Sequence, residues 1–69
     1  MMFKKFEAYI GKQRFILEED LPEVGWYIYV FDNNGNCIGD HLQDNYDMAI
    51  AFTSEEYKID KDNWRLIND

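Results

Sequence analysis

The chain reads as an α+β fold: a four-stranded, mostly antiparallel sheet in β-β-β-β-α order, with one amphipathic helix on one face and a short C-terminal segment. Three observations predict this. The run Trp26-Tyr27-Ile28-Tyr29-Val30-Phe31 contains only aromatic and β-branched residues and is bounded by Gly25 and by Asp32-Asn33-Asn34-Gly35, as a central strand would be. Two alternating segments before it meet at Gly11-Lys12, a hairpin signal. From Asp44 onward the apolar period changes from two to 3.6, the period of a helix.

The first hairpin is the most specific of these expectations. Phe6, Ala8 and Ile10 alternate with Lys5, Glu7 and Tyr9, and Phe15 and Leu17 alternate with Arg14, Ile16 and Glu18. Glycine at the first position of a two-residue loop suits a type II′ turn. That loop pairs Ile10 with Gln13, Ala8 with Phe15 and Phe6 with Leu17. On the other face it pairs Tyr9 with Arg14 and Lys5 with Glu18. Apolar side chains meet apolar ones and opposite charges meet, which a one-residue slip would undo. Asp20 to Gly25 is a connection, broken by Pro22 and Gly25.

In the third strand Trp26, Ile28 and Val30 share one face and Tyr27, Tyr29 and Phe31 the other. For the next turn a three-residue Asn33-Asn34-Gly35 loop is preferred to a two-residue Asn34-Gly35 loop, because it sets Val30 against Ile38 rather than Gly39. The fourth strand is expected over about Asn36 to Asp40. Leu42, Tyr46, Ala49, Ile50, Thr53 and Tyr57 then form a helical stripe, with Asp44 as N-cap and Met48 and Phe52 on its flank. The stripe should lie on Phe6, Ala8, Phe15, Leu17, Trp26, Ile28 and Val30. The tail Asp60 to Ile67 suits either a capped helical turn or a short edge strand.

Residues 1–69 have room for one domain and one small core, burying roughly 60% of the unfolded surface. Aromatic residues, at 17%, give a small core much of its buried area. Cys37 is the only cysteine, so no intrachain disulfide forms, which fits a reducing compartment. The start, Met1-Met2-Phe3-Lys4-Lys5-Phe6-Glu7, has no apolar signal-peptide region, and no apolar run reaches the ~18 residues of a membrane span. The expected location is the cytoplasm, with no membrane association.

The net charge of −7 is unevenly placed. Lys4, Lys5, Lys12 and Arg14 face only Glu7 in residues 1–14, whereas residues 15–57 hold no lysine or arginine. That stretch carries Glu18, Glu19, Asp20, Glu23, Asp32, Asp40, Asp44, Asp47, Glu55 and Glu56. Such a field repels phosphate backbones and attracts basic partners, so direct nucleic-acid binding is not expected.

No residue set assembles an enzyme, a cofactor site or a metal site. Cys37 and His41 supply half a zinc site at most, and a strand cysteine ordinarily serves as a small buried hydrophobe. As a nucleophile pair they lack a third group to orient the imidazole. Asp32-Asn33-Asn34-Gly35-Asn36 departs from a calcium loop at its sixth position, Cys37, and its twelfth, Gln43, and reads as a hairpin turn. Glu18, Glu19, Asp20 and Glu23 form an acidic run at a strand end, suited to solvation or to a basic partner. Tyr27, Tyr29 and Phe31 would form an aromatic patch on the face the helix leaves open.

The meander, Gly35-Asn36-Cys37-Ile38 and the acidic helix after it are loosely similar to the antitoxin half of HicA/HicB-type systems. The match spans a short stretch and carries no function over. The expected function is a non-enzymatic acidic module that binds a basic protein, as an immunity protein, antitoxin or inhibitor does. Its partner-binding residues would be Glu18, Glu19, Asp20, Glu23, Tyr27, Tyr29 and Phe31. The alternative is a structural or homodimerising domain whose acidity serves solubility, so the chain is expected as monomer or homodimer.

Overall fold

A computed structural model describes residues 3–68. Its elements are β1 (Lys5–Ile10), β2 (Gln13–Glu19), β3 (Trp26–Phe31), β4 (Cys37–Gln43), α1 (Tyr46–Tyr57), a 3-10 turn (Lys61–Asn63) and β5 (Arg65–Asn68). They form one antiparallel sheet in the order β4-β3-β2-β1-β5, with α1 across one face. The α+β class is as expected, but the sheet has five strands rather than four. The tail supplies both of its expected alternatives in succession. Asp60 caps the 3-10 turn, accepting from the Asp62 N–H, and the chain then runs antiparallel along the outer edge of β1. β1 had an unpaired edge, and pairing its backbone groups is what the extra strand accomplishes.

The first hairpin has the expected register throughout: Ile10↔Gln13, Tyr9↔Arg14, Ala8↔Phe15, Phe6↔Leu17 and Lys5↔Glu18. Gly11 has φ +60° and Lys12 does not join it in the left-handed region, which is the type II′ pattern. The second hairpin departs from expectation in one respect. The three-residue loop forms, with the Asp32 N–H donating to Asn36 O at 2.9 Å and the Gly35 N–H donating to Asp32 O at 3.1 Å. Phe31 then faces Cys37, but a bulge follows, and Val30 faces Gly39 instead of Ile38. Ile38 is left 54% exposed. The core cluster beside Val30 already holds Phe15, Ile59 and Tyr57, and Gly39 fits there without adding a branched side chain.

β4 also runs further than expected, to Gln43, and takes Leu42 with it. Leu42 pairs with Tyr27 on the face away from the helix and is not part of the helical stripe. The N-cap of α1 is Asn45, not Asp44: its Oδ1 accepts from the Met48 N–H at 2.9 Å, and Asp47 lies in the first turn. Asp44 is occupied in leaving the strand, so the cap falls one residue later. At the other end Lys58 takes φ 60° and its N–H donates to Ser54 O, while the Ile59 N–H donates to Thr53 O. This αL C-cap swings Ile59 under the sheet, where it is fully buried.

The core lies between the sheet and α1. One cluster joins Ala8, Phe15, Val30 and Ile59, with Ile10 and Tyr57 at its margin. The other joins Leu17, Ile28 and Ala49, with Phe6, Trp26, Ile50 and Phe52 around it. Trp64 packs against both. Each fully buried aliphatic or aromatic side chain contributes roughly 1.5–3 kcal/mol of transfer free energy. Ile28 and Val30 are buried as the strand parity requires, whereas Tyr29 and Phe31 are half-buried on the other face. Of the flanking residues, Phe52 joins the core and Met48 stays exposed. No helix of the described residues is long and apolar enough to cross a membrane.

Candidate functional site: the sheet face opposite the helix

The face away from α1 is built by strand alternation alone. Pairing places Glu18 and Leu42 on either side of Tyr27, Ile16 and Asp40 on either side of Tyr29, and Arg14 beside Phe31. Tyr27 and Tyr29 are two apart on one strand, so their rings stack, with centroids 5.8 Å apart and planes 14° from parallel. Ile16 is buried although no helix covers this face. Glu18 is paired with Lys5, Nζ to Oε1 at 3.6 Å.

The half of this face over β1, β2 and β5 is an ionic cluster around Glu7. Arg14 Nε donates to Glu7 Oε2 at 2.8 Å, Arg65 Nη2 donates to Oε1 at 3.2 Å, and the Tyr9 hydroxyl donates to Oε2 at 3.4 Å. The Arg14 guanidinium also lies 5.9 Å from the centre of the Phe31 ring. The hydrogen bond from Arg14 holds the Glu7 carboxyl below its ordinary range, against the opposing effect of burial and with help from Arg65.

The half over β3 and β4 has the opposite character. It is aromatic and acidic. Burial raises the pKa of the Tyr29 hydroxyl, and the negative field of Glu18, Tyr27, Asp40 and Asp20 raises it further. Among the described residues no cation pairs with Asp40. A shallow depression on this half is lined by Tyr27, Asp40, His41 and Leu42.

Of the residues expected to bind a partner, Glu18, Tyr27, Tyr29 and Phe31 come together here. Glu19 does not: it pairs with Trp26 on the helix face, and its Oε1 accepts from the Lys4 N–H at 2.9 Å. Asp20 turns the chain, accepting from the Leu21 N–H and donating its own N–H to Gly25 O. Glu23 is exposed on the turn that follows. Asp40 and Leu42 join the face without having been foreseen. Their signal was the alternation Asp40-His41-Leu42-Gln43, which continues the strand past the point where it was expected to stop.

Cys37 and His41 are separated by the bulge. Cys37 faces Phe31 and is exposed, not buried, whereas His41 faces Ile28 on the helix side. There His41 Nε2 and the Tyr57 hydroxyl are 2.7 Å apart, within hydrogen-bond distance, and the imidazole packs on Phe52. Asp32 is committed to its turn, with Oδ1 accepting from the N–H groups of Asn34 and Asn36. Those hydrogen bonds, the Asn36 one foremost, hold its carboxyl below the ordinary range. No group of three or more His, Cys, Asp or Glu among the described residues is arranged to hold a metal ion. Comparison with protein-family models, with curated proteins and with solved structures finds no match to this chain.

Proposed function

We propose that this chain is a non-enzymatic acidic binding module that engages a basic protein through the β3–β4 half of its open sheet face, acting in the cytoplasm as an immunity protein, antitoxin or inhibitor does. The observation that carries this reading is the pair of stacked tyrosines that no helix covers, set among Glu18, Asp40 and Leu42. Aromatic side chains are over-represented where proteins meet, and a one-signed surround steers the oppositely charged partner. The test is capture of a basic protein by the immobilised chain at low and at physiological salt. Capture should weaken with salt, fall by at least about tenfold for Tyr29→Ala, and persist for Asp62→Asn on the exposed 3-10 turn. Capture indifferent to Tyr29 and Asp40 would remove the reading.

The second reading, homodimerisation, has one observation in its favour. β4 is an edge strand that exposes Ile38 and Leu42. Sedimentation across a range of concentrations separates the two, because only the second predicts self-association without a basic partner.

A further inference from the structure

The open face already contains one cation seated in an aromatic and carboxylate niche. The Arg14 guanidinium lies over the Phe31 ring while its Nε donates to the Glu7 carboxylate. The next ring along the same strand also has a carboxylate beside it, on β4 rather than β1, and no cation of the described residues pairs with it. Tyr29 stacks on Tyr27, and Asp40 stands directly across from it on β4. Residues in such cross-strand positions have Cβ atoms only ~4.5–5.5 Å apart. Glu18, on the other side, is engaged by Lys5, so the carboxylate left to accept is that of Asp40. It stands on an edge strand, exposed, with Leu42 two residues along the same face. No lysine or arginine occurs between residues 15 and 57 to fill the niche from within.

Resting on the proposed binding of a basic partner, we infer that the Tyr27/Tyr29/Asp40 niche is an arginine receptor: it takes a guanidinium from an extended basic segment of that partner, stacked on the tyrosine rings and hydrogen-bonded to Asp40. An ammonium is a poorer fit. A guanidinium is planar and weakly hydrated, so it lies flat on a ring while its edge donates to a carboxylate. A lysine ammonium is compact and strongly hydrated, and gives up more water for the same contact. The face would thus read the partner's arginines, and the acidic stretch around it would respond to total positive charge.

The experiment titrates the isotopically labelled full chain with three capped pentapeptides of alternating charged residue and threonine, the charged residue being arginine, lysine or citrulline. Amide and tyrosine-ring NMR shifts are followed. The arginine peptide should shift Tyr27, Tyr29, Asp40 and Leu42 and bind at least about threefold tighter than the lysine peptide. The citrulline peptide, of the same shape but uncharged, should shift none of them. Asp40→Asn should weaken the arginine peptide and close its advantage over lysine. Tyr27→Leu should do the same, and its own spectrum reports whether the chain stays folded. Equal binding of arginine and lysine peptides would overturn the arginine receptor while leaving the basic-partner reading standing. Shifts confined to the Leu21–Gly25 turn or to α1 would place the site elsewhere and overturn it too. Absence of salt-dependent shifts with either charged peptide would overturn both the receptor and the function on which it rests.

Discussion

Ile28 and Tyr29 are adjacent in the chain and have opposite tasks. Ile28 is fully buried between Leu17 and Ala49, and its loss leaves a cavity beneath the helix. Ile28→Ala should cost roughly 2–5 kcal/mol. Tyr29 is half-buried on the open face, and Tyr29→Ala should cost on the order of 1 kcal/mol as a lost cross-strand and stacking contact. Chemical denaturation of the two variants checks the order; the reverse order would place the core on the wrong face. Glu7 gives a second residue-scale prediction. Removing its charge releases Arg14 and Arg65 to solvent, to which they are already 40% and 77% exposed, so Glu7→Gln should destabilise by only about 1 kcal/mol near neutral pH. Its folded pKa is lowered, so its contribution is present above the ordinary value of 4.5 and is lost as pH falls through the lowered one. The gap between wild type and Glu7→Gln should therefore hold above pH 4.5 and narrow as pH falls below it in parallel denaturation series. A gap that stays constant would show that the cluster acts through packing. The alternation of Phe6, Ala8, Phe15 and Leu17 made the core side legible. Glu7 was not legible as the centre of an ion cluster, because one of its two arginines arrives on β5, far along the chain.

At the scale of elements, the connection between β2 and β3 is held by a close approach. Gly25 has φ 118°, and a Cβ there would fall on the Gln43 carbonyl oxygen at the end of β4. Gly11 also has positive φ but nothing near where its Cβ would stand. Gly25→Ala therefore combines backbone strain with displacement of β4 and should cost about 2–4 kcal/mol, against about 1 kcal/mol for Gly11→Ala. Thermal melts of the pair measure the difference, and equal melting temperatures would mean that Gln43 yields without cost. The same contrast explains what the sequence could and could not disclose. The first hairpin was legible residue by residue because a two-residue loop and matched side chains fix its register locally. In the second, Cys37, Ile38 and Gly39 offered no local reason for a bulge; the reason is the Phe15, Ile59 and Tyr57 side chains packed around Val30, two of them from after residue 56. Asp40 and Leu42, which complete the candidate site, were hidden by the same shift. β5 depends on a partner strand sixty residues away, and four residues such as Arg65-Leu66-Ile67-Asn68 do not declare a strand by period alone.

Over the whole molecule, sheet order turns an asymmetry along the chain into one in space. The order β4-β3-β2-β1-β5 gathers Lys5, Arg14 and Arg65 on one side, where all the ion pairs of the described residues lie. Asp40 on β4, with Asp44 and Asp47 beyond it, is left without partners. Salt acts on these two sides in opposite senses. It weakens the exposed and half-exposed pairs, each worth little at a surface, and it relieves repulsion among the unpaired carboxylates of a chain with net charge −7. Raising NaCl from ~0.01 M to ~0.15 M shortens the screening length from about 30 Å to about 8 Å, a range that spans the molecule's own charge separations. Unpaired carboxylates outnumber paired ones, so repulsion should dominate, and the melting temperature should rise by roughly 2–5 °C over this range. Association with a basic partner should weaken over the same range, because screening removes the steering field. Calorimetry of the chain alone and a binding isotherm at the same salt concentrations measure both effects. A melting temperature that falls with salt would show the Glu7 cluster outweighing the acidic side. A partner affinity indifferent to salt would show that the tyrosines bind without help from the charges around them.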